Sequence, residues 1–204
     1  MKNIYCVGRN YKKHADELGN AVPDYPMIFS KPSHSLVKAK GQEIKLPSNS
    51  GRIDYEVELV FQLNRSYEKG MSANDCISQM AVGVDFTLRE VQNELKKKGH
   101  PWLLAKGFPN AALVTDFFPF LGMDKVHGST FTLDINGNQV QKGDPKQMIF
   151  SLDVLLDYFH DHVGLAAGDL LFTGTPEGVG EVHNGDKLEM FFNEDFKGRA
   201  IISS

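Results

Sequence analysis

Cysteine is nearly absent. Cys6 and Cys76 are the only two, and they share no CxxC spacing. That excludes a disulfide scaffold and fits a reducing compartment. Long apolar runs are missing as well. No stretch reaches the roughly 18 apolar residues that would read as a membrane span. The N-terminal "MKNIYCVGRNYKKHADELG" lacks the apolar core of a signal peptide. There is no basic excess: 22 Lys and Arg face 26 Asp and Glu, a net charge of −4, which gives no reason to expect nucleic acid as a partner. Repeats, low-complexity tracts and linkers are absent too. These absences predict a cytoplasmic chain forming one domain over residues 1–204, with neither nucleic acid nor a membrane as its partner.

What is present is ordinary in bulk. Hydrophobic residues make up 41 % and charged residues 24 %, in a chain long enough to bury a core. Residues 1–50 read as irregular, with prolines at 23, 26, 32 and 47; "KKHADELGN" reads as a short helix ending at Gly19. "SANDCISQMAVG" reads as a helix capped by Ser72, followed by a short strand, "VGVDF", that ends at Asp85. "TLREVQNELKKKG" reads as a helix with a Thr87–Glu90 capping box, three lysines in its last turn and a stop at Gly99. "FTLDINGNQVQKG" is a hairpin pattern turning at Asn136–Gly137. "SLDVLLDYFHDHVG" is an amphipathic helix capped by Ser151, with Leu152, Leu155, Leu156 and Phe159 as its buried stripe. "GDLLFTGTPEGVG" and "GDKLEMFF" read as strands, the first running into a glycine-rich loop. Many short strands with a few helices, and no βαβα alternation, predict a β-dominated α+β fold.

The chemistry concentrates in "DYEVELVF", residues 54–61. Tyr55, Val57, Leu59 and Phe61 alternate with Asp54, Glu56 and Glu58, a strand period. Neighbouring carboxylates on one strand face lie about 7 Å apart. Two readings compete. One is a solvent-facing surface, although such surfaces usually mix lysine with acid. The other is a divalent-metal site, since carboxylate oxygens suit hard cations and residues two apart on a strand can reach one ion. A third ligand is then needed, and Asp85, at the end of an apolar strand, is the candidate. Arg89 and Gln92 share a helix face at i, i+3. Lys106 sits in the apolar "WLLAKGF", where it either snorkels to water or serves a function. "GTPEGVG" lacks the lysine and spacing of a nucleotide loop. His100, His160, His162 and His183 read as surface or core-edge residues, and no His/Cys cluster suggests zinc.

Seven segments in order, "GRNYKKHADELG", "PMIFSKPSHSLV", "DYEVELVF", "GVDFTLREVQ", "KGHPWLLAKGF", "DPKQMIFS" and "GDLLFTGTPEGVG", make the chain resemble the fumarylacetoacetate hydrolase family over roughly residues 4 to 192. The resemblance is to its short acylpyruvate hydrolase and oxaloacetate decarboxylase branch. It implies a mixed β-sandwich roll with peripheral helices, a homodimer, and Mg²⁺ or Mn²⁺ held by Glu56, Glu58 and Asp85. It further implies catalytic roles for His14, Glu17 and Lys106, and substrate contacts from Arg89, Gln92, Lys31, Ser33 and Thr175. Residues 10–20 match a lid segment carrying the His14–Glu17 dyad. Asp54 lies outside the matched ligand set, and "NEDFKGRAIISS" matches no motif. The implied substrate is a small 2-oxo acid whose keto oxygen the cation polarises. The expected reaction is hydrolysis of the C–C bond of acylpyruvates, with pyruvate and a carboxylic acid as products. Alternatives on the same site are oxaloacetate decarboxylation or tautomerisation, isomerisation or hydration of longer diacids, or binding without turnover.

Overall fold

The alternating stretch 54–61 folds as two strands, Ile53–Tyr55 and Val57–Leu63, with Glu56 in the break between them. In the computed structural model, which describes residues 3–17, 19 and 21–203, both faces of this segment are buried. The surface-strand reading is therefore overturned: Asp54, Glu56 and Glu58 are at most 5 % exposed. Alternation still sorts the side chains. Tyr55, Val57, Leu59 and Phe61 enter the larger core. Val60, on the carboxylate side, joins a second cluster with Cys6, Ala81 and Phe172.

Val57–Leu63 occupies the middle of an eight-stranded mixed sheet. Its path runs Met27–Lys31, Ile4–Gly8, Leu170–Phe172, Val57–Leu63, Ile77–Asp85, Ala112–Val114 and Leu36–Lys38, with Phe118–Pro119 paired onto Ile77–Asp85. A five-stranded sheet runs Asn138–Gly143, Phe131–Ile135, Lys187–Phe192, Asp195–Ser203 and Lys40–Lys45. Its Phe131, Leu133, Leu188 and Met190 share the larger core with Leu59, Phe61 and Val82. Burying each such side chain stabilises the fold by about 1.5–3 kcal/mol. A small third sheet, Gly180–Glu181, Ile53–Tyr55 and Thr87–Leu88, closes the end where the carboxylates lie. The result is the β-dominated α+β architecture expected, with helices at the periphery of curled sheets.

Several local expectations hold. Asn136 and Gly137 both take positive φ (53° and 81°), as a tight hairpin turn requires. Ser151 caps the helix Leu152–His162 by accepting from the Val154 N–H, and the Leu152, Leu155, Leu156 and Phe159 stripe is buried. Gly99 ends the helix Arg89–Lys98 in the left-handed region at φ 65°. The helix at Lys12–Glu17 is also present; residues 18 and 20, part of the candidate lid segment 10–20, lie outside the described residues.

Others are corrected. Residues 1–50 hold four strands, Ile4–Gly8, Met27–Lys31, Leu36–Lys38 and Lys40–Lys45. These are short, and prolines interrupt all but the last gap between them, so no periodic run announces them. The helix expected from Ser72 lasts one turn, Ala73–Cys76, although its Ser72–Asp75 capping box is present. Ile77 then enters the nine-residue strand Ile77–Asp85, because pairing along Val57–Leu63 outweighs local helix propensity. Thr87 is not a helix cap. It lies in the strand Thr87–Leu88, and the helix begins at Arg89. The unmatched C-terminal residues form the strand Asp195–Ser203, entered through Asn193 and Glu194 at φ 51° and 70°. Among the described residues, no helix is long and apolar enough to cross a membrane.

Candidate active site

Two paired strands bring the carboxylates together. Val57–Leu63 runs antiparallel to Ile77–Asp85, with Val57 opposite Val84 and Glu58 opposite Gly83. The Asp85 N–H donates to the Glu56 carbonyl at 2.8 Å, which fixes the strand end beside the break. Gly83 has to be glycine: a Cβ there would lie 2.8 Å from Val60 Cγ2 and 2.9 Å from the Leu113 carbonyl. The outcome is a buried triad, Glu56, Glu58 and Asp85, each with an oxygen within 4.8 Å of the others.

Cations surround this triad. Lys106 Nζ donates to Glu56 Oε2 and Asp85 Oδ2, both at 2.7 Å, and to Thr87 Oγ1 at 2.6 Å. Lys106 is 2 % exposed, so it does not snorkel. Arg89 is fully engaged: Nε donates to Asp54 Oδ2 at 2.7 Å, Nη2 to Glu56 Oε1 at 2.6 Å, and Nη1 to Gln92 Oε1 at 2.7 Å. Asp54 thus anchors Arg89 behind the triad, with Arg52 on its outer side at 2.5 Å. Lys31 lies behind the floor, 2.5 Å from Asp85 Oδ1, and donates to the Phe86 and Lys106 carbonyls.

The protonation states follow from this arrangement. Burial works to raise Glu56, but Lys106 and Arg89 outweigh it and hold it well below the usual carboxylate range. Burial works to lower Lys106, but Asp85 and Glu56 outweigh it, so the ammonium is retained. Glu58 goes the other way. Burial, Asp85 and Glu56 raise it well above the ordinary value, only partly offset by the Gly174 N–H at 2.7 Å.

This donor set fits a divalent cation. It offers three buried carboxylates converging from two strands, and Asp85 Oδ1 accepts no well-directed hydrogen bond despite its nearness to Lys31. Oxygen donors suit Mg²⁺ and Mn²⁺ alike and do not choose between them.

The triad opens into a cleft lined by Glu56, Glu58, Arg89, Gln92, Lys106, Thr175 and His14, together with Val7, Gly8, Arg9, Phe29, Lys96 and Trp102. Because Gln92 Oε1 accepts from Arg89, its NH₂ is the end left for a ligand. His14 is 5 % exposed, and burial lowers it below the ordinary histidine value, with Glu56 partly opposing. Its Nδ1 lies 3.8 Å from Glu17 Oε2, beyond hydrogen-bond distance. Glu17 instead accepts from the Gly178 N–H at 3.2 Å, docking the short helix onto the glycine-rich loop. Ser33 is not brought to the cleft. Pro32 turns the chain out of Met27–Lys31, and Ser33 is exposed on the single turn Ser33–Ser35.

The sequence reading missed Arg9, Lys96, Trp102, Gln141 and Asn10. Lys96 was hidden in a lysine run, yet it follows Arg89 and Gln92 at helical spacing on one face, which was a usable signal. Asn10 is fully buried. It accepts from the Phe150 N–H at 2.8 Å and donates to the Thr173 carbonyl at 2.9 Å, tying the loop after Ile4–Gly8 to the loop that carries Thr175.

The family model for the fumarylacetoacetate hydrolase C-terminal region matches residues 3–196. The chain belongs to the fumarylacetoacetate hydrolase family. Among relatives of this family, the oxaloacetate tautomerase YcgM of Escherichia coli (strain K12) is 36 % identical over 198 residues, covering 95 % of this chain and 89 % of the relative. The mitochondrial oxaloacetate tautomerase FAHD1 of Rattus norvegicus is 38 % identical over 190 residues, covering 92 % and 86 %. A solved family structure, fumarylpyruvate hydrolase from Pseudomonas aeruginosa in complex with Mn²⁺ and pyruvate, superposes with a TM-score of 0.90 at 30 % identity, over 100 % of this chain and 90 % of that one. That neighbour holds Mn²⁺ and pyruvate, and this chain carries an acidic triad that could hold a divalent cation.

Proposed function

We propose that the chain is a divalent-metal-dependent oxaloacetate tautomerase, interconverting the enol and keto forms. The observation that carries this reading is the buried triad flanked by the Lys106 ammonium, in a cleft that also holds a neutral histidine. The tautomerase relatives support it over the acylpyruvate reading. A cation held by Glu56, Glu58 and Asp85 supplies Lewis acidity toward the 2-oxo group. The chain's own residues do the rest. Thr175 and the Gln92 amide hold the substrate beside the triad. Lys106 keeps Glu56 ionised and bridges it to Asp85, holding both carboxylates in place. His14, kept neutral by burial, accepts the C3 proton; the C–H electron pair forms the C2–C3 double bond, the C2=O π pair moves onto the oxygen, and the oxygen takes a proton from solvent while the imidazolium returns one to solvent. The reverse sequence returns the keto form.

A second reading, hydrolysis of acylpyruvates, draws on the approach of Glu17 to His14 at 3.8 Å. Closing that gap would let the pair activate water for attack at the C4 carbonyl, with cleavage of C3–C4.

A proton NMR time course with Mg²⁺, and with EDTA, separates the readings. Metal-dependent acceleration of enol–keto exchange in oxaloacetate is expected. Metal-dependent acetate and pyruvate from acetylpyruvate would favour the hydrolase instead. Pyruvate from oxaloacetate, beyond the metal-only rate, would indicate a decarboxylase. No acceleration with the cation bound would sink the tautomerase reading.

A further inference from the structure

The cleft holds four cations, and two of them have no carboxylate. Arg89 and Lys106 are neutralised at 2.6–2.7 Å by Asp54, Glu56 and Asp85. Arg9 and Lys96 line the same cleft, and among the described residues neither makes an ion pair or a side-chain hydrogen bond.

Both are held there by structure. Arg9 adopts φ 58°, a conformation that disfavours a non-glycine residue and that proteins retain chiefly at functional sites. The preceding Gly8 packs flush on Trp102, where a Cβ would come within 3.4 Å of the ring. Lys96 Nζ stands 5.4 Å from the centre of the same ring. Burial, then the nearby Arg89 and Arg9 cations, push Lys96 down to about 8. An incoming anion would relieve that strain on the charged form.

We propose that Arg9 and Lys96 form a subsite for a second, distal carboxylate, so that the cleft selects dianionic 2-oxo acids over monoanionic ones. A guanidinium offers a planar, bidentate fit to a carboxylate, and the lysine adds a movable point charge. The triad end then takes the 2-oxo carboxylate head, and the Trp102 end takes the far carboxylate. The inference rests on the 2-oxo acid reading of the site and deepens it, since oxaloacetate carries such a second carboxylate and acetylpyruvate does not.

The test compares oxaloacetate with 2-oxobutanoate, in which a methyl group replaces the distal carboxylate. Calorimetric Kd values are measured on Mg²⁺-loaded wild type, Lys96→Met and Arg9→Asn; asparagine is chosen because it tolerates positive φ. Thermal melts confirm folding of both variants. Wild type is expected to bind the dianion at least about tenfold more tightly. Each variant is expected to lose roughly 10- to 100-fold in oxaloacetate affinity, with 2-oxobutanoate within about twofold of wild type. No wild-type preference, no loss in the variants, or equal loss for both ligands would overturn the subsite. Preference without any acceleration of enol–keto exchange would instead sink the tautomerase reading and leave the subsite standing.

Discussion

The Gln141 amide donates to the Thr175 hydroxyl at 2.9 Å, and both side chains are buried. Because the Thr175 oxygen is accepting, its own proton is free to point into the cleft that Thr175 lines. Gln141 also accepts the Val57 N–H at 2.8 Å and donates to the Pro176 carbonyl at 3.0 Å. One side chain therefore ties the carboxylate-bearing strand to the substrate loop. Gln141→Leu would leave the Val57 N–H buried and unpaired, with an expected stability loss of about 1–3 kcal/mol in urea unfolding. It would also free the Thr175 rotor and raise KM. Thr175→Val should raise KM by about tenfold with little change in the urea midpoint. An unchanged KM in Gln141→Leu would mean that Thr175 keeps its orientation without help.

Lys106 presents a sharper case. Its buried ammonium bridges Glu56 and Asp85. Lys106→Met leaves two buried carboxylates less compensated, a loss on the order of 3–5 kcal/mol in metal-free protein. Added Mg²⁺ should recover part of that stability, since the cation brings positive charge to the same oxygens. Activity should stay down by about 10²-fold or more. Full recovery of kcat on metal addition would show that Lys106 serves only to balance charge.

Much of this site was legible before the fold was known. The strand period at 54–61, the acid ending an apolar strand at Asp85 and the out-of-place Lys106 each pointed to the cleft. What local pattern could not supply was which face of each strand is covered. Asp54, Glu56 and Glu58 look like a wet surface until the second cluster and the small closing sheet bury them. Thr87 shows the same limit in miniature. Thr87 with Glu90 makes a sound capping signal, yet its hydroxyl accepts from Lys106, because a buried ammonium left without acceptors is costly. Ser72 through Ile77 fails for a related reason: a real cap opens one turn, then sheet pairing takes the chain over. Gln141 and Asn10 were invisible, since each joins segments more than 80 residues apart and neither carries a charge to draw notice.

His14 sets the expected pH dependence. Burial holds its folded value below the ordinary 6.5, so the ring is neutral at pH 7 and able to accept a proton. The acidic limb of kcat/KM should therefore fall below pH 6.5. His14→Gln should remove that limb and cost about 10²–10⁴-fold in rate. Stability follows the same sign. The unfolded chain protonates first as pH falls, so the contribution of neutral His14 is intact above 6.5 and is lost progressively below it. A limb centred above 6.5 that survives His14→Gln would assign the base elsewhere.

Glu58 supplies a test of the metal centre that needs no substrate. It is the triad member without a cation at hydrogen-bond distance, and burial, Asp85 and Glu56 raise it well above 4.5. A raised acid makes the metal-free fold hold a proton that the unfolded chain releases. Its contribution to stability is therefore present below the unfolded value and is lost as pH rises from about 4.5 toward the folded value. A bound divalent cation needs the ionised form, so metal binding should release a proton, and affinity for Mn²⁺ should strengthen with rising pH. Glu58→Gln removes the crowded charge while keeping the shape. In EDTA at pH 7.5 it should match or exceed wild type in urea midpoint, and it should lose most of the midpoint gain that wild type shows on adding Mn²⁺. Equal Mn²⁺ stabilisation in the two proteins would remove Glu58 from the ligand set, and proton release that persists in Glu58→Gln would place the released proton on another group.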